Sequence, residues 1–196
     1  MLLTSLLLAA AAAAAPASPP GPAGPAVELV PMIGMRNGVN LEANAPGIPP
    51  AESSASGTLG LDVIVAVRPD GWFHAFVDHQ SLSFPGFDLA VDYVQFGGGY
   101  QPEEGRVRPF VAASLGFTRY GVDPGAVRNA IDFSGSIAGG FKVPIGKRLA
   151  FRFEVRGYAT FGDAAVSVAC GPGCSVQFAG TGWYQLAARA GLAIRL

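Results

Sequence analysis

The chain has 196 residues, half of them hydrophobic and only 14% charged, with a net charge of −1. No basic surplus exists to attract nucleic acid, and two lysines against eleven arginines is not the mixed Lys/Glu surface of a water-soluble domain. The length fits one domain. Past the N-terminal stretch no apolar run reaches the ~20 residues of a spanning helix. A bilayer crossing would therefore need strands closed into a barrel, the other architecture that pairs every backbone group internally.

Residues 1–17, MLLTSLLLAAAAAAAPA, read as a signal peptide. A short apolar run ends on the small-residue pattern Ala15-Pro16-Ala17, although no Lys or Arg precedes it. Residues 18–26 form a Pro-rich leader, kept out of helix and ladder by the missing proline N–H. Residues 27–196 form the predicted barrel, which breaks into eight alternating segments separated by turn signals.

The first segment, 27–37, sets Leu29, Pro31, Ile33 and Met35 against Glu28 and Arg36. A polar stretch, Gly38–Ser56, follows. The second, Gly57–Arg68, is the cleanest: Leu59, Leu61, Val63, Val65 and Val67 alternate with Gly60, Asp62, Ile64, Ala66 and Arg68, and Pro69-Asp70-Gly71 turns the chain. The third, 72–80, sends Phe73, Ala75 and Val77 one way and His74, Phe76 and Asp78 the other, before a predicted loop at 81–87. The fourth, 88–101, sets Leu89, Val91 and Tyr93 opposite Ala90 and Asp92, which puts Asp92 on the inner face. Gly97-Gly98-Gly99 then blurs the alternation and predicts a bulge or close packing. The fifth, 107–120, puts Arg108 on the polar face; a loop is expected at 121–130. The sixth, 131–143, puts Lys142 there. The seventh, 148–161, carries Arg152, Glu154, Arg156 and Tyr158 opposite Leu149, Phe151, Phe153 and Val155. A cysteine loop, Gly162–Gly182, leads to the eighth, 183–196, where Arg189 and Arg195 oppose Leu186, Leu192, Ile194 and Leu196.

Connections alternate long and short, as in outer-membrane barrels with long external loops and short periplasmic turns. Both chain termini are then expected on the periplasmic side. A lipocalin-like soluble barrel shows the same alternation with its apolar face inward. Three features favour the membrane reading. The polar face is rich in Gly, Ala, Ser and Arg, and the bulky face is almost free of charge. Aromatics gather near strand ends, with Trp72 and Tyr100 at one end and Tyr120, Tyr158, Phe161, Trp183 and Tyr184 at the other. The fold class is thus all-β: an eight-stranded antiparallel up-and-down transmembrane β-barrel of the bacterial outer membrane.

This layout resembles the small eight-stranded outer-membrane barrels, the OmpA/OmpX-like group. The segment R-x-R-P-F-V-A-A-S-L-G-F-T-R at Arg106–Arg119 is similar to their outer membrane protein β-barrel domain branch. The ending Arg189-x-Gly191-x-x-Ile194-x-Leu196 resembles their C-terminal pattern, with Leu in the place of the frequent Phe. The resemblance implies that this pattern is read by the barrel-assembly machinery during insertion. Expected partners are that machinery, outer-membrane lipid and lipopolysaccharide; nucleic acid is not one, and the protein is expected to be a monomer.

The inner face collects Glu28, Arg36, Asp62, Arg68, Asp78, Asp92, Arg108, Lys142, Arg152, Glu154, Arg156, Arg189 and Arg195. Buried charges need partners. Arg189, on the strand next to the seventh, should approach Arg152, Glu154 and Arg156, while Glu28 and Arg195 should pair near the rim. An eight-stranded interior is just wide enough for side chains to fill, so this network should plug the lumen. Cys170 and Cys174, spaced by Gly-Pro-Gly, are expected to form a disulfide in an oxidising compartment, with two free thiols as the alternative; two cysteines cannot complete a zinc site.

No hydrolase, metalloprotease or phosphate-loop motif occurs, so no catalytic residue, cofactor or metal is assigned. The expected function is a non-catalytic scaffold whose external loops interact. One alternative is a narrow channel leaning toward anions, because basic residues outnumber acidic ones on the inner face. The other comes from His79-Gln80-Ser81, which is similar to the H-x-S pair of outer-membrane lipid A deacylases. That resemblance implies an acidic partner, and neighbouring Asp78 faces the opposite way.

Overall fold

The computed structural model describes residues 26–38, 40–43, 51–52, 54–84, 87–102, 104–123, 130–171 and 174–196. Residues 1–25, where the signal peptide and nearly all of the Pro-rich leader are expected, lie outside them. Among the described residues ten strands are present: β1 Val27–Arg36, β2 Asn40–Ala43, β3 Ala51–Glu52, β4 Ser56–Ala66, β5 Gly71–Phe84, β6 Phe87–Tyr100, β7 Arg108–Asp123, β8 Ala130–Pro144, β9 Leu149–Gly171 and β10 Cys174–Arg195. Consecutive barrel strands pair antiparallel, and β1 pairs with β10 from Glu28↔Arg195 to Arg36↔Ala187, closing an eight-stranded ring. The small β2–β3 hairpin adds to β10 through Ala43↔Phe178 and Glu42↔Ala179.

The alternation sets which way the wall faces. Ile33, Phe73, Ile137 and Leu186 point outward, each more than half exposed, whereas Arg152 and Glu154 are buried on the axis. The lipocalin-like arrangement is thereby excluded. The outer apolar belt is what lipid requires and water does not.

The belt ends at Val77 on β5, Val94 on β6 and Phe117 on β7, and beyond it the polarity inverts. His79, Ser81, Ser83, Asp88, Asp92 and Arg119 now face outward, while Leu82, Phe84, Leu89, Val91 and Tyr120 fill the inside. Asp92 is therefore not a lumen residue, contrary to the sequence reading. On β6 the odd positions point inward throughout, and the apolar stretch Leu89-Val91-Tyr93 lines the interior above the membrane. The expected bulge at Gly97–Gly99 is also absent. β6 runs in continuous register with β5 from Tyr100↔Gly71 to Phe87↔Phe84 and with β7 alongside. The apparent change of phase is the inversion of polarity.

What Gly97 and Gly99 provide is close approach. A Cβ at Gly99 would overlap the Trp72 ring, and one at Gly97 would overlap the Ala113 carbonyl and Ser114. Register shifts occur instead on β10, between Cys174 and Ser175 and between Thr181 and Trp183.

The predicted loops shrink for the same reason. Beyond the belt the inner face is the apolar one at Leu82, Phe84, Leu89 and Val91, and the sequence of 162–182 is mostly small and polar, so the outward apolar phase that marks a membrane strand is lost while the ladder continues. Of 81–87, all but residues 85–86 belong to β5 and β6. β7 runs on to Asp123, and 162–182 lies largely within β9 and β10, paired from Asp163↔Thr181 to Gly171↔Cys174. The short turns match the reading more closely, with Val67 N bonded to Gly71 O at 3.0 Å and Ile145 N to Leu149 O at 2.9 Å. The aromatic ends match only in part. Tyr100, Phe161 and Tyr184 face outward, but Trp72, Tyr120 and Tyr158 point in and fill the lumen.

Gly97→Ala is expected to destabilise the barrel by about 1–3 kcal/mol, because backbone and Ser114 occupy the space its methyl needs. Gly157→Ala, whose Cβ meets only Ile137 Cγ1 at 4.0 Å, should be neutral or stabilising by up to about 1 kcal/mol. Urea titration of refolded protein, read by heat-modifiable gel mobility, compares the two.

Candidate functional site

The interior is built mainly from β9. Its alternation places Arg152, Glu154 and Arg156 on one face, ~7 Å apart, all fully or almost fully buried. Glu154 accepts from Arg152 Nη2 at 2.9 Å and Arg156 Nε at 2.7 Å, and it also takes a short contact from Arg189 Nη2, delivered by β10 through the Arg189↔Glu154 register. Arg189 Nη1 lies 3.4 Å from Asp78 Oδ2, which also accepts from Arg36 Nη1 at 3.1 Å and from the Tyr158 hydroxyl at 2.7 Å. Arg36 Nε donates to Gln80 Oε1 at 2.6 Å. The carboxylates leave guanidinium charge over, and aromatic faces take it up: Arg152 lies 4.1 Å from the Phe110 ring centroid, Arg156 4.2 Å from Phe76 and Arg36 4.8 Å from Tyr93.

A second chain of contacts adjoins this cluster. His74 Nδ1 lies 3.1 Å from Asp62 and its Nε2 lies 2.7 Å from Ser114 Oγ. That is the order of an acid, a base and a nucleophile. No substrate can reach it. All three residues are less than 5% exposed, and Arg156 Nη1 already lies 3.2 Å from Ser114 Oγ. Toward the termini an apolar layer of Val30, Met32, Ile64, Trp72, Phe110, Ala112, Ala138, Ala150 and Ala193 seals the axis. The arrangement satisfies buried polar groups and leaves no room for turnover.

The thirteen predicted inner charges divide three ways. Arg36, Asp62, Asp78, Arg152, Glu154, Arg156 and Arg189 form the buried network. Glu28, Arg68, Arg108, Lys142 and Arg195 line the mouth at the end carrying the short turns. Asp92 lies on the outer wall, where its Oδ1 is 2.6 Å from His79 Nδ1. Arg68 is exposed beyond the end of β4, at the rim and not within the lumen.

The expected Glu28–Arg195 ion pair does not form. The two residues are register partners, but the Glu28 carboxylate takes Lys142 Nζ at 2.7 Å across the mouth. Arg195 is exposed and keeps its hydration, whereas Lys142 is largely buried and gains more from a partner.

Reading for charge alone misses the neutral groups. Gln95 donates through Nε2 to Ser134 Oγ at 2.8 Å and accepts from Ser136 Oγ at 2.6 Å, and Tyr93 donates to Gln185 Oε1 at 2.9 Å. Ser134 and Ser136 share a phase with Lys142, and Gln185 with Arg189, so the period of two could have found them; the inward face of β6 that carries Tyr93 and Gln95 holds no charge to mark it. In the C-terminal pattern, Gly191 is required sterically, since a Cβ there would overlap the Pro31 carbonyl. The side chains of Cys170 and Cys174 lie outside the described residues. Among the described residues, no group of three or more His, Cys, Asp or Glu side chains could hold a metal ion.

Glu154→Gln should cost about 3–5 kcal/mol in unfolding free energy, since it leaves three buried guanidinium groups without their shared carboxylate. Adding Arg189→Gln should recover part of the loss; equilibrium unfolding in detergent measures both.

No family model and no curated protein matches the sequence. Solved structures do share its shape. Neisserial surface protein A superposes with a TM-score of 0.61 at 11% identity, over 87% of this chain and 97% of that one. The outer membrane protein AlkL, solved in lipid bilayers, superposes at 0.61 with 16% identity, over 93% and 97%. OprG of Pseudomonas aeruginosa superposes at 0.53 with 12% identity, over 85% and 95%. At such identities the likeness concerns fold alone, and the apolar belt supplies the environment. The chain is an eight-stranded transmembrane barrel of the outer membrane, with the fold of the small OmpA/OmpX-like proteins.

Proposed function

We propose that this protein is a closed, non-conducting scaffold of the outer membrane that displays the strand extensions beyond its belt to a partner. One observation carries the reading: among the described residues the axis is filled from the Trp72–Phe110 layer to the Leu82–Leu89 layer. The apolar layer around Trp72 and Phe110, the Glu154 cluster, the Gln80–Tyr93–Gln185 layer and the Leu82–Leu89–Val91 layer follow in turn. An ion entering such a path would lose its hydration without gaining a continuous polar lining. The short-turn end faces the periplasm. The far end carries the β2–β3 hairpin on β10, beside the long β9–β10 hairpin, and this projecting sheet is the surface for interaction. The barrel works as a monomer in lipid and lipopolysaccharide after insertion by the barrel-assembly machinery.

A second reading rests on His79, Asp92 and Ser81. The His79–Asp92 pair sits on the outer wall just beyond the belt, where lipid headgroups lie, and Ser81 is exposed two residues along the same face. The acidic partner thus comes from the next strand, through the His79↔Asp92 register. A base oriented by a carboxylate and followed by a serine is the arrangement of an acyl hydrolase. Asp92 also faces exposed Arg119 on β7.

Purified protein in planar lipid bilayers should give no single-channel steps; steady conductance would overturn the scaffold reading. Mass spectrometry of lipid A separates the second reading. Equal acylation with wild-type protein, with Ser81→Ala and without the protein supports the scaffold. Loss of an acyl chain that needs Ser81 supports the hydrolase.

A further inference from the structure

The mouth at the short-turn end holds a cavity of about 110 Å³. Every barrel strand, or the turn that follows it, reaches it: Glu28 from β1, Ile64 from β4, Trp72 from β5, Gln101 after β6, Arg108 from β7, Lys142 from β8, Arg152 from β9 and Arg195 from β10, with Arg68 at the rim. Among the described residues, five cationic side chains and one carboxylate therefore line this space. That carboxylate, Glu28, is engaged by Lys142.

The donors are not all used within the protein. Arg152 is 1% exposed and its Nε–H has no acceptor within the protein, although its Nη2 is held by Glu154; Arg108 Nε is likewise buried without a protein acceptor. An unmade hydrogen bond at a buried guanidinium is costly. Among the described contacts, Arg68, Arg108 and Arg195 also have no carboxylate partner, unlike the arginines deeper in the barrel.

We propose that this mouth binds a phosphate-class oxyanion. Guanidinium groups recognise tetrahedral oxyanions with paired, directional N–H donors, which a spherical halide cannot match. At about 30 Å³ per water in the liquid, the cavity has room for about three waters, enough for one phosphate group and too little for a whole nucleotide. The floor is Ile64 and Trp72, so the anion binds and does not pass. This last point rests on the closed-lumen reading, whereas binding itself does not. The cavity opens along the barrel axis and its charged residues point inward, so the ligand arrives from the aqueous compartment and not from the plane of the lipid. A free phosphate or the terminal phosphate of a soluble molecule fits.

The test follows the arginine Nε–Hε resonances by NMR in full-length protein refolded into a phosphate-free maltoside detergent. Sodium phosphate should shift the Arg108 and Arg152 signals saturably, and sodium chloride at equal ionic strength should not. Arg108→Gln should weaken phosphate binding about tenfold or more, read at Arg152. Glu28→Gln should tighten it, because it removes the one carboxylate among the described lining residues and releases Lys142. Heat-modifiable gel mobility shows that each variant is folded. Equal shifts with chloride, no saturable shift, unchanged affinity in folded Arg108→Gln or weaker binding in Glu28→Gln would each overturn the proposal. So would shifts that appear only when phosphatidylglycerol replaces soluble phosphate. Conductance of the same samples is measured separately, so a failed closed-lumen reading and a failed anion site give different results.

Discussion

Closure of the sheet is the constraint from which the rest follows. A bilayer offers no partner for an open strand edge, so β1 must meet β10. Eight strands make a narrow ring, and a narrow ring must fill its axis with side chains. Once the axis is filled and dry, each inward charge needs a partner inside the same ring. Glu154 serves three arginines for this reason, and Asp78 serves Arg36, Arg189 and Tyr158. Such a cluster is weak evidence for stability compared with an apolar core of equal volume. Its contribution is register. If β9 slipped by one residue, Arg152, Glu154 and Arg156 would all turn toward lipid, at about 2–4 kcal/mol for each arginine near the midplane. The ion cluster and the ladder therefore hold one another in place.

The parts legible in the sequence are those governed by one strand or by two neighbours. Residues two apart on β9 share a face, and strand order brings Arg189 beside Glu154; both inferences need only a period of two and a closed ring. The Arg36–Asp78 contact needs more, because the two side chains meet across the lumen from strands that are not paired. Asp92 fails for a different reason. Alternation shows that two faces differ, but not which is inside, and the sign reverses where the lipid ends. Leu59 and Leu61 face out under the same pattern by which Leu82 and Leu89 face in. The segments 81–87 and 162–182 look like loops for a related reason: Ser81-Leu82-Ser83-Phe84 alternates in the inverted phase ahead of Pro85-Gly86, and the sequence of 162–182 is mostly small and polar, although the backbone bonds persist.

Two serine–histidine–aspartate sets occupy one wall of this barrel, and solvent separates their meanings. Ser114, His74 and Asp62 have the shorter serine contact but lie in a sealed interior, where arginines satisfy their remaining valences. His79 and Asp92 stand on the outer face at the upper edge of the belt, with side chains 54% and 35% exposed. Their setting admits a lipid headgroup, while Ser81 makes no hydrogen bond to the imidazole. Hydrogen-bond geometry alone would select the inner set, and access alone the outer one. A functional assignment needs both, which is why lipid chemistry and not the contact distances decides between the readings.

Charge is distributed unevenly along the axis. Compensation is nearly full at the level of Glu154, and apolar collars bound that level on both sides, at Trp72 and Phe110 below and at Leu82 and Leu89 above. The imbalance collects at the terminal mouth, where five cations meet one carboxylate in reach of water. A protein that needed only a plug could have left this rim neutral, as the alanines of the layer just inside it are. Water lowers the cost of the exposed arginines there, whereas Arg152 is buried with an Nε–H that no protein group accepts. The donor most in need of an acceptor thus lines the cavity at this end of the axis, and an oxyanion entering that cavity would supply the acceptor atoms that the chain itself does not.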